Sequence, residues 1–169
     1  KTFYAVNNNR TPQTGIALFL ADWYNSAWIY RKKITIDQTK IPGTTNLTNF
    51  PVLISRTDTE LKNNAQSDGD DILFTSSDGT TKLHHEIDSY TSATGELIAW
   101  VEIPTLLAQT NTEIFMYYGN SGAAIQQNMT GTWNSSYVGV WHKEDAAGSA
   151  SIKDSKNANN GIEPIRITF

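Results

Sequence analysis

A histidine and two carboxylates alternate along one segment of the chain and could act together. His84, Glu86 and Asp88 are two residues apart, so their side chains would share one face of a β-strand. Such a group could bind a divalent metal ion or transfer a proton. The alternative is the solvated face of a half-buried strand, because charged residues are mostly exposed. His142 is too distant in sequence to be assigned to this group.

Four aspartates surround a predicted tight turn and form a second candidate site. Carboxylate oxygens are the ligands that calcium prefers, so this group is a candidate calcium site, although its spacing does not fit an EF-hand loop. The alternative is that these residues form turns and cap strands. No other cofactor is expected. The aspartates are Asp68, Asp70, Asp71 and Asp78.

Paired carboxylates could also hydrolyse a glycosidic bond, which requires two of them flanking the sugar. No motif selects a pair, and the chain contains no G-x-S-x-G, P-loop, H-E-x-x-H or G-x-G-x-x-G sequence. We therefore expect that the protein is not an enzyme, and a glycoside hydrolase-like activity is the least favoured alternative. The candidate carboxylates are Glu86, Asp88, Glu96 and Glu102.

Aromatic side chains near the start of the chain are candidates for stacking on sugar rings. Trp23, Tyr24 and Trp28 lie among polar residues before the first predicted strand, so we expect them to be exposed. The alternative is that they belong to the core, as most aromatic residues of β-sandwiches do. Trp100 lies between Ala99 and Val101 and is predicted to be a core residue.

The elements that must position these residues are mainly strands. Helical periodicity is almost absent, while short runs of β-branched and aromatic residues recur between turn clusters. This pattern predicts an all-β, jelly-roll-like antiparallel β-sandwich of about eight strands. One short helix is predicted over Asp58–Ala65, because Thr57 and Glu60 have capping-box spacing. The predicted strands are Tyr30–Asp37, Phe50–Arg56, Asp71–Thr75, Lys82–Tyr90, Glu96–Ile103, Thr112–Tyr118 and Tyr137–His142.

Three of these segments carry a more specific prediction. Asp78-Gly79 supplies the positive φ of a tight turn, which predicts a hairpin between the strands on either side. The apolar run Phe50–Arg56 predicts a strand buried on both faces. Thr112–Tyr118 is also apolar on both faces and should be a central strand.

Composition excludes several classes of protein. The chain has 169 residues, no cysteine and a formal net charge of -4, which argues against a disulfide-stapled scaffold and a nucleic-acid partner. Its longest apolar run, Ile16–Leu20, is too short to span a bilayer. Thr, Ser and Asn account for 49 of the 169 residues, a composition typical of secreted β-rich surface proteins.

The last residues predict a further strand. Side chains alternate over Gly161–Phe169, and Pro164 restricts this strand to the edge of a sheet because it cannot donate a ladder hydrogen bond. The strand could complete the sheet of a neighbouring copy, or it could pair within its own sandwich. The residues of this candidate assembly strand are Ile162, Ile165, Ile167 and Phe169.

Several segments follow one another along the chain in a characteristic order. They are Trp28–Ile36 (WIYRKKITI), Leu47–Ile54 (LTNFPVLI), Gly69–Thr75 (GDDILFT), Asp78–Leu83 (DGTTKL), Glu86-Ile87, Ala99–Pro104 (AWVEIP) and Ile114–Asn120 (IFMYYGN). Together they resemble a known family, the domain of unknown function 2341 family of secreted bacterial and archaeal proteins. The resemblance covers residues 22–120 and implies an exported β-sandwich module. The family has no assigned catalytic residues, so it implies none for this chain.

In that family the module commonly precedes a laminin-G or concanavalin-A-like domain. The opening of such a domain is similar to Tyr137–His142 followed by Asp154-Ser155 and Asn159–Gly161. Too few residues follow to complete a second sandwich, so its sugar or calcium site cannot be assigned here. We therefore expect one domain over residues 1–169, with a family-like core at 22–120 and an extension at 121–169.

Together these observations predict an exported, non-catalytic, extracellular or cell-surface module of structural or adhesive type. It is expected to assemble through a terminal strand with copies of itself or other surface proteins, as in a filament or surface layer. The alternative is a carbohydrate-binding module with a polysaccharide ligand. Four N-x-S/T sequons are candidate glycosylation sites, at Asn9, Asn46, Asn128 and Asn134.

Overall fold

Two three-stranded antiparallel sheets pack face to face in the computed structural model, which describes residues 22–142 and 152–161. The all-β sandwich predicted from the sequence is confirmed, with six strands in these two ranges. The strands are β1 (Tyr30–Ile36), β2 (Leu47–Thr57), β3 (Leu73–Ser76), β4 (His85–Thr91), β5 (Glu96–Leu106) and β6 (Thr112–Tyr118). Two short helices, α1 (Thr59–Asn64) and α2 (Met129–Thr132), and a 3-10 turn at Gln38–Lys40 complete the elements.

The first sheet has the strand order β1-β6-β3 and the second has the order β2-β5-β4. β6 is central, as its two apolar faces predicted. Alternate residues of the central strands point between the sheets and form the core, because successive side chains of a strand point to opposite faces. These buried residues include Leu97, Ala99, Val101 and Ile103 of β5 and Ile114, Met116 and Tyr118 of β6.

The helix α1 begins one residue later than its capping-box spacing suggested. Its N-cap is Asp58 rather than Thr57, and the Asp58 carboxylate accepts a hydrogen bond of 2.9 Å from the backbone N–H of Glu60. Leu61 is the buried residue of this helix and packs into the core. The single apolar anchor explains why the helix stays short.

Asp58 also joins β1 to the end of β2 through charged contacts. Its carboxylate lies 2.6 Å from Lys32 Nζ and 2.6 Å from an Arg56 guanidinium nitrogen. Burial alone would raise the pKa of Asp58, but the hydrogen bonds from Lys32 and the Glu60 amide, with the charge of Arg56, hold it below its usual value. Lys32 shares the inner face of β1 with Ile34 and Ile36, so the apolar part of that face ends at this charged residue.

The predicted hairpin around Asp78-Gly79 forms only at its turn. Gly79 has a φ of 81°, and the N–H of Ser76 donates to the carbonyl of Thr81. Beyond a single bridge between Thr75 and Lys82, the two strands separate, because β3 pairs with β6 and β4 pairs with β5. Burial of the residues that follow the turn directs the chain into the opposite sheet, so the predicted hairpin is present at the turn and extends only to the hydrogen bond between Leu83 N–H and the Phe74 carbonyl.

Three further predictions are corrected by the position of their segments. Phe50 and Leu53 are 40% and 47% exposed, because β2 is an edge strand and is not buried on both faces. Trp100 is only half-buried, since it points away from the core of the second sheet. Residues 137–142 do not form a strand and cross the second sheet as irregular backbone.

Gly95 is a position where the fold requires glycine. It has a φ of 73°, and a Cβ added there would lie 2.0 Å from the backbone oxygen of Asp58. We expect Gly95→Ala to lower the free energy of unfolding by about 2 kcal/mol, measured by urea denaturation. Gly43→Ala is the control, because Gly43 has a φ of 87° with nothing within 4 Å, and should cost about 1 kcal/mol. Equal losses would contradict this assignment.

Candidate functional site

Glu86 is a buried carboxylate on the outer face of the second sheet. It is 5% exposed and lies in β4 opposite Trp100 of β5. Its carboxylate accepts hydrogen bonds from Trp133 Nε1 at 2.6 Å and from Ser155 Oγ at 2.5 Å, and His142 Nε2 lies at 3.2 Å. Three separate parts of the segment after β6 therefore converge on one side chain of the sheet.

His142 lies between two carboxylates. Its Nδ1 is 3.6 Å from Asp88 Oδ2, while its Nε2 contacts Glu86. Asp88 is the extra residue of a β-bulge, because Ile87 pairs with Ala99 and the next pair in the ladder is Ser89 with Ile98. The sequence did not associate His142 with this group, and the fold brings it there.

The two adjacent histidines have different environments. His84 is exposed, and its Nδ1 lies 3.2 Å from both Glu102 Oε2 and the carbonyl of Gly131. His85 is fully buried between the sheets and packs edge-on against Phe74; the backbone at Ile72 and Leu83 lies close to its ring, but neither ring nitrogen meets hydrogen-bond geometry. The predicted group of His84, Glu86 and Asp88 is therefore not one cluster, since His84 has a different partner.

A cleft of about 420 Å³ opens beside Glu86, and we call it the Glu86 cleft. Within the two described ranges, no group of three or more His, Asp or Glu side chains is arranged to hold a metal ion. The cleft is lined by Glu86, Ile87, Asp88, Met129, Thr130, His142, Lys153, Asp154, Ser155 and Asn157.

Asp154 organises the loop that forms one wall of this cleft. Its carboxylate accepts backbone hydrogen bonds from Val140 at 2.7 Å, Asn159 at 2.9 Å and Lys156 at 3.0 Å. The bond from Val140, followed by those from the loop amides, holds the pKa of Asp154 below its usual value. This carboxylate is therefore already fully used by the protein.

An aromatic cluster lies behind the cleft. The rings of Trp100 and Trp133 are 5.2 Å apart, and the His142 ring is 5.9 Å from that of Trp133. Tyr137 packs edge-on against Trp133. The indole N–H of Trp100 is buried and has no acceptor among the described residues. The outer face of this sheet is thus covered by aromatic rings around the polar group of Glu86.

The first aromatic group of the sequence covers the outer face of the other sheet. Trp28 is only 7% exposed, and its Nε1 donates to the carbonyl of Asp71 at 2.6 Å, so the prediction that Trp28 is exposed is wrong. Trp23 and Tyr24 are half-buried and pack against Tyr117. The guanidinium of Arg31 lies 4.8 Å from the Trp23 ring centre. Little of these rings is left to stack on a sugar.

Three of the four aspartates of the candidate calcium site accept hydrogen bonds from backbone N–H groups of the protein itself. Asp71 is buried and accepts hydrogen bonds from the backbone N–H groups of Gly119, Asn120 and Gln66. Asp78 accepts from the two residues that follow its turn, and Asp68 accepts from the N–H of Asp70. Burial would raise the pKa of Asp78, yet these hydrogen bonds, with the Thr81 hydroxyl, hold it well below its usual value. The arrangement favours turn formation rather than calcium binding.

The side-chain amides of the sequon asparagines make different hydrogen bonds. Asn134 Nδ2 donates to the carbonyl of Asn49, and Asn128 Oδ1 caps α2. Asn46 is exposed, and only its Oδ1 is engaged, by the N–H of Ala108. Asn9 lies outside the described residues. Among the described sequons, Asn134 is thus the one whose acceptor nitrogen donates a hydrogen bond.

The core is least covered along β1, β2 and the turn between them, and we call this the open edge. Apolar side chains there pack against the core but stay half-buried, and Phe50, opposite the buried Ile103, is 40% exposed. By contrast, Leu73, Phe74 and Thr75 of the edge strand β3 are fully buried. The open edge consists of Ile34, Ile36, Ile41, Leu47, Phe50 and Val52.

The predicted assembly strand, Ile162, Ile165, Ile167 and Phe169, lies outside the described residues. None of the helices in residues 22–142 and 152–161 has the length and hydropathy needed to cross a lipid bilayer.

The fold and these sites define an antiparallel β-sandwich module with a polar anchor on one outer face. The family model described as Domain of unknown function (DUF2341) matches residues 68–157, just over half of the chain, and the chain belongs to this family. The match runs through residues that resembled the opening of a laminin-G-like domain, and that second resemblance is not confirmed. No curated protein and no solved structure shows a significant match to the chain.

Proposed function

We propose that this protein is an exported, non-catalytic surface module that assembles with copies of itself by adding a strand to the open edge. The observation that carries the proposal is the incomplete cover of the core along β1 and β2. Its Thr-, Ser- and Asn-rich composition and its resemblance to secreted proteins support a location outside the cell.

The backbone of β2 suits strand addition. It is 11 residues long and pairs only with β5 in the described structure, so the backbone groups on its other side have no strand partner there. Long, partly apolar edges bind other strands unless charges, prolines or bulges interrupt them, and β2 carries one proline, Pro51, which has no N–H to donate to an added strand. Strand addition would satisfy these groups and cover Phe50 and Val52 together.

The open edge has a defined extent along β1. Lys32 points inward from β1 and is held by Asp58 and Glu60 at 2.6 and 2.8 Å, and an inward-pointing charge opposes strand addition. The apolar residues Ile34 and Ile36 follow it on the same face. An added strand would therefore contact the part of the open edge that follows Lys32 in the sequence, which includes Ile34 and Ile36.

The sequence of residues 161–169 has the apolar alternation that a strand added at the open edge would need. Ile165, Ile167 and Phe169 alternate with polar residues, so one face of a strand formed by them would be apolar. Pro164 is tolerated in an added edge strand. We therefore propose that this segment of one copy covers the open edge of the next.

A non-catalytic role is supported by the use of the central carboxylate. Glu86 is buried and saturated by donors from Trp133 and Ser155, so it is not free to act on a substrate. Of the other candidate carboxylates, Glu96 is exposed at the start of β5, Glu102 contacts His84, and Asp88 lies beside Glu86 with His142 between them.

The assembly proposal is tested by sedimentation and negative-stain electron microscopy of purified protein. We expect the wild-type chain to form regular polymers and a chain lacking Ile162–Phe169 to remain monomeric. Phe50→Glu should also give monomers, because it places a charge inside the open edge. Polymers that persist after the deletion would show that the terminal strand is not the link.

Leu53→Glu is the matched control for Phe50→Glu. Leu53 lies in the same strand and is similarly exposed, but it faces away from the core opposite Trp100. This variant should assemble like the wild-type chain. If Phe50→Glu and Leu53→Glu both assemble normally, the open edge is not the interface.

A further inference from the structure

The Glu86 cleft has features that the assembly proposal does not use. It lies on the outer face of the second sheet, whereas the open edge is a gap in the cover of the inner face. Its volume of about 420 Å³ is within the usual range of small-molecule sites. We propose that this cleft binds a neutral sugar ring.

The walls of the cleft are fixed before any ligand arrives. Glu86 holds Trp133, Ser155 and His142, and Asp154 holds the loop of Lys156 to Asn159 through backbone hydrogen bonds. A site whose side chains are already held in place binds with less loss of conformational entropy. The contacts of Glu86 and Asp154 thus hold a segment without regular secondary structure in place as a wall of the Glu86 cleft.

Asp88 is a wall residue to which none of the described residues donates a hydrogen bond. Its side chain is only 18% exposed, and its nearest recorded polar contact is His142 Nδ1 at 3.6 Å, which is beyond hydrogen-bond distance. A carboxylate that is mostly buried gains from donors that replace the lost water. The bulge at Asp88 places this acceptor at the cleft, where hydroxyl groups of a ligand can reach it.

The remaining lining selects the class of ligand. Asn157 supplies an amide that can donate and accept, while Met129 and Ile87 supply apolar contacts for C–H groups. The lining has three carboxylates, of Glu86, Asp88 and Asp154, against one lysine, Lys153, so its net negative charge disfavours an anion. A ring that carries several hydroxyl donors beside apolar C–H faces matches this lining, which differs from the rings of Trp23, Tyr24 and Trp28 that the sequence suggested.

The proposal is tested by titrating the purified chain with glucose, galactose, mannose, xylose and N-acetylglucosamine, each in the millimolar range. Tryptophan emission is the readout, because Trp133 contacts both Glu86 and His142. We expect saturable binding of at least one sugar and a loss of affinity of roughly tenfold or more in Asp88→Ala. The thermal midpoint of this variant should change little, because the described residues give Asp88 no hydrogen bond and only the 3.6 Å contact with His142.

Glu113→Ala is the control, because it removes an exposed carboxylate from the other sheet. It should bind the sugar like the wild-type chain. Methylammonium chloride forms a separate arm: saturable binding of this amine, without binding of any sugar, would show that the cleft takes a cation and would overturn the proposal. A flat titration with every sugar would overturn it as well. Chains that lack Ile162–Phe169 should still bind, which separates this test from the assembly test.

Discussion

Replacing Glu86 by alanine is expected to lower the free energy of unfolding by about 3 to 5 kcal/mol. The variant removes the acceptor shared by Trp133 Nε1 and Ser155 Oγ and leaves the indole N–H of the buried Trp133 without its acceptor. The segment that covers the second sheet should loosen with it. Urea denaturation measures the loss, and faster tryptic cleavage at Lys156 measures the release of the segment.

Glu86→Gln is the matched control for this prediction. Glutamine keeps one carbonyl acceptor and nearly the same shape, so its loss should be about 2 kcal/mol, between those of the wild-type chain and the alanine variant. A loss below about 1 kcal/mol for Glu86→Ala would show that the contacts of Glu86 do not fasten the segment to the sheet.

Acid is expected to destabilise the protein through His85. Burial lowers the pKa of His85 to about 4, from an ordinary value near 6.5. Below pH 6.5 the unfolded chain binds a proton that the folded chain excludes, so stability is lost as the pH falls toward 4. The expected loss is about 2 kcal/mol between pH 7 and pH 5 and about 3 kcal/mol by pH 4, measured by urea denaturation at each pH.

The interval from pH 7 to pH 5 separates this histidine from the carboxylates. Asp58 has a lowered pKa, so its stabilising contribution is present above about pH 4 and is lost only on further acidification. His85→Leu should flatten the profile from pH 7 to pH 5 without lowering stability at pH 7, because it removes two nitrogens that make no hydrogen bond. His84→Gln is the control on the exposed neighbour, and an unchanged slope in His85→Leu would contradict the assignment.

The fold class followed from the sequence because it depends on local alternation. Ile34 and Ile36 alternate with polar residues in β1, and the uniformly apolar segment of β6 became the centre of its sheet. The separation of β3 from β4 could not be predicted in this way. The Asp78-Gly79 signal specifies a turn, whereas the choice of partner strand depends on burying residues far apart in sequence.

The contacts of Glu86 with Trp133, His142 and Ser155 were not predicted for a related reason. His142 and Ser155 are 56 and 69 residues from Glu86 and lie in irregular backbone, where no periodicity indicates which face a side chain takes. The available signal was the alternation of Glu86 and Asp88 along β4, and this signal did not indicate the residues that contact them. The exposure predicted for Trp28 failed because polar neighbours in sequence do not show what packs above them in space.

The order of strands in the first sheet also determines when that sheet can form. Its central strand, β6, is the last strand in the described chain, and both β1 and β3 pair only with it. A nascent chain that has not yet reached Thr112–Tyr118 therefore has no partner for either outer strand. Closing the sheet brings Tyr30 against Tyr118 across most of the described sequence, a non-local contact of the kind that slows folding. Such a chain can pair the strands of the second sheet, which end at Leu106, but the first sheet forms only after nearly all of the sandwich has been synthesised.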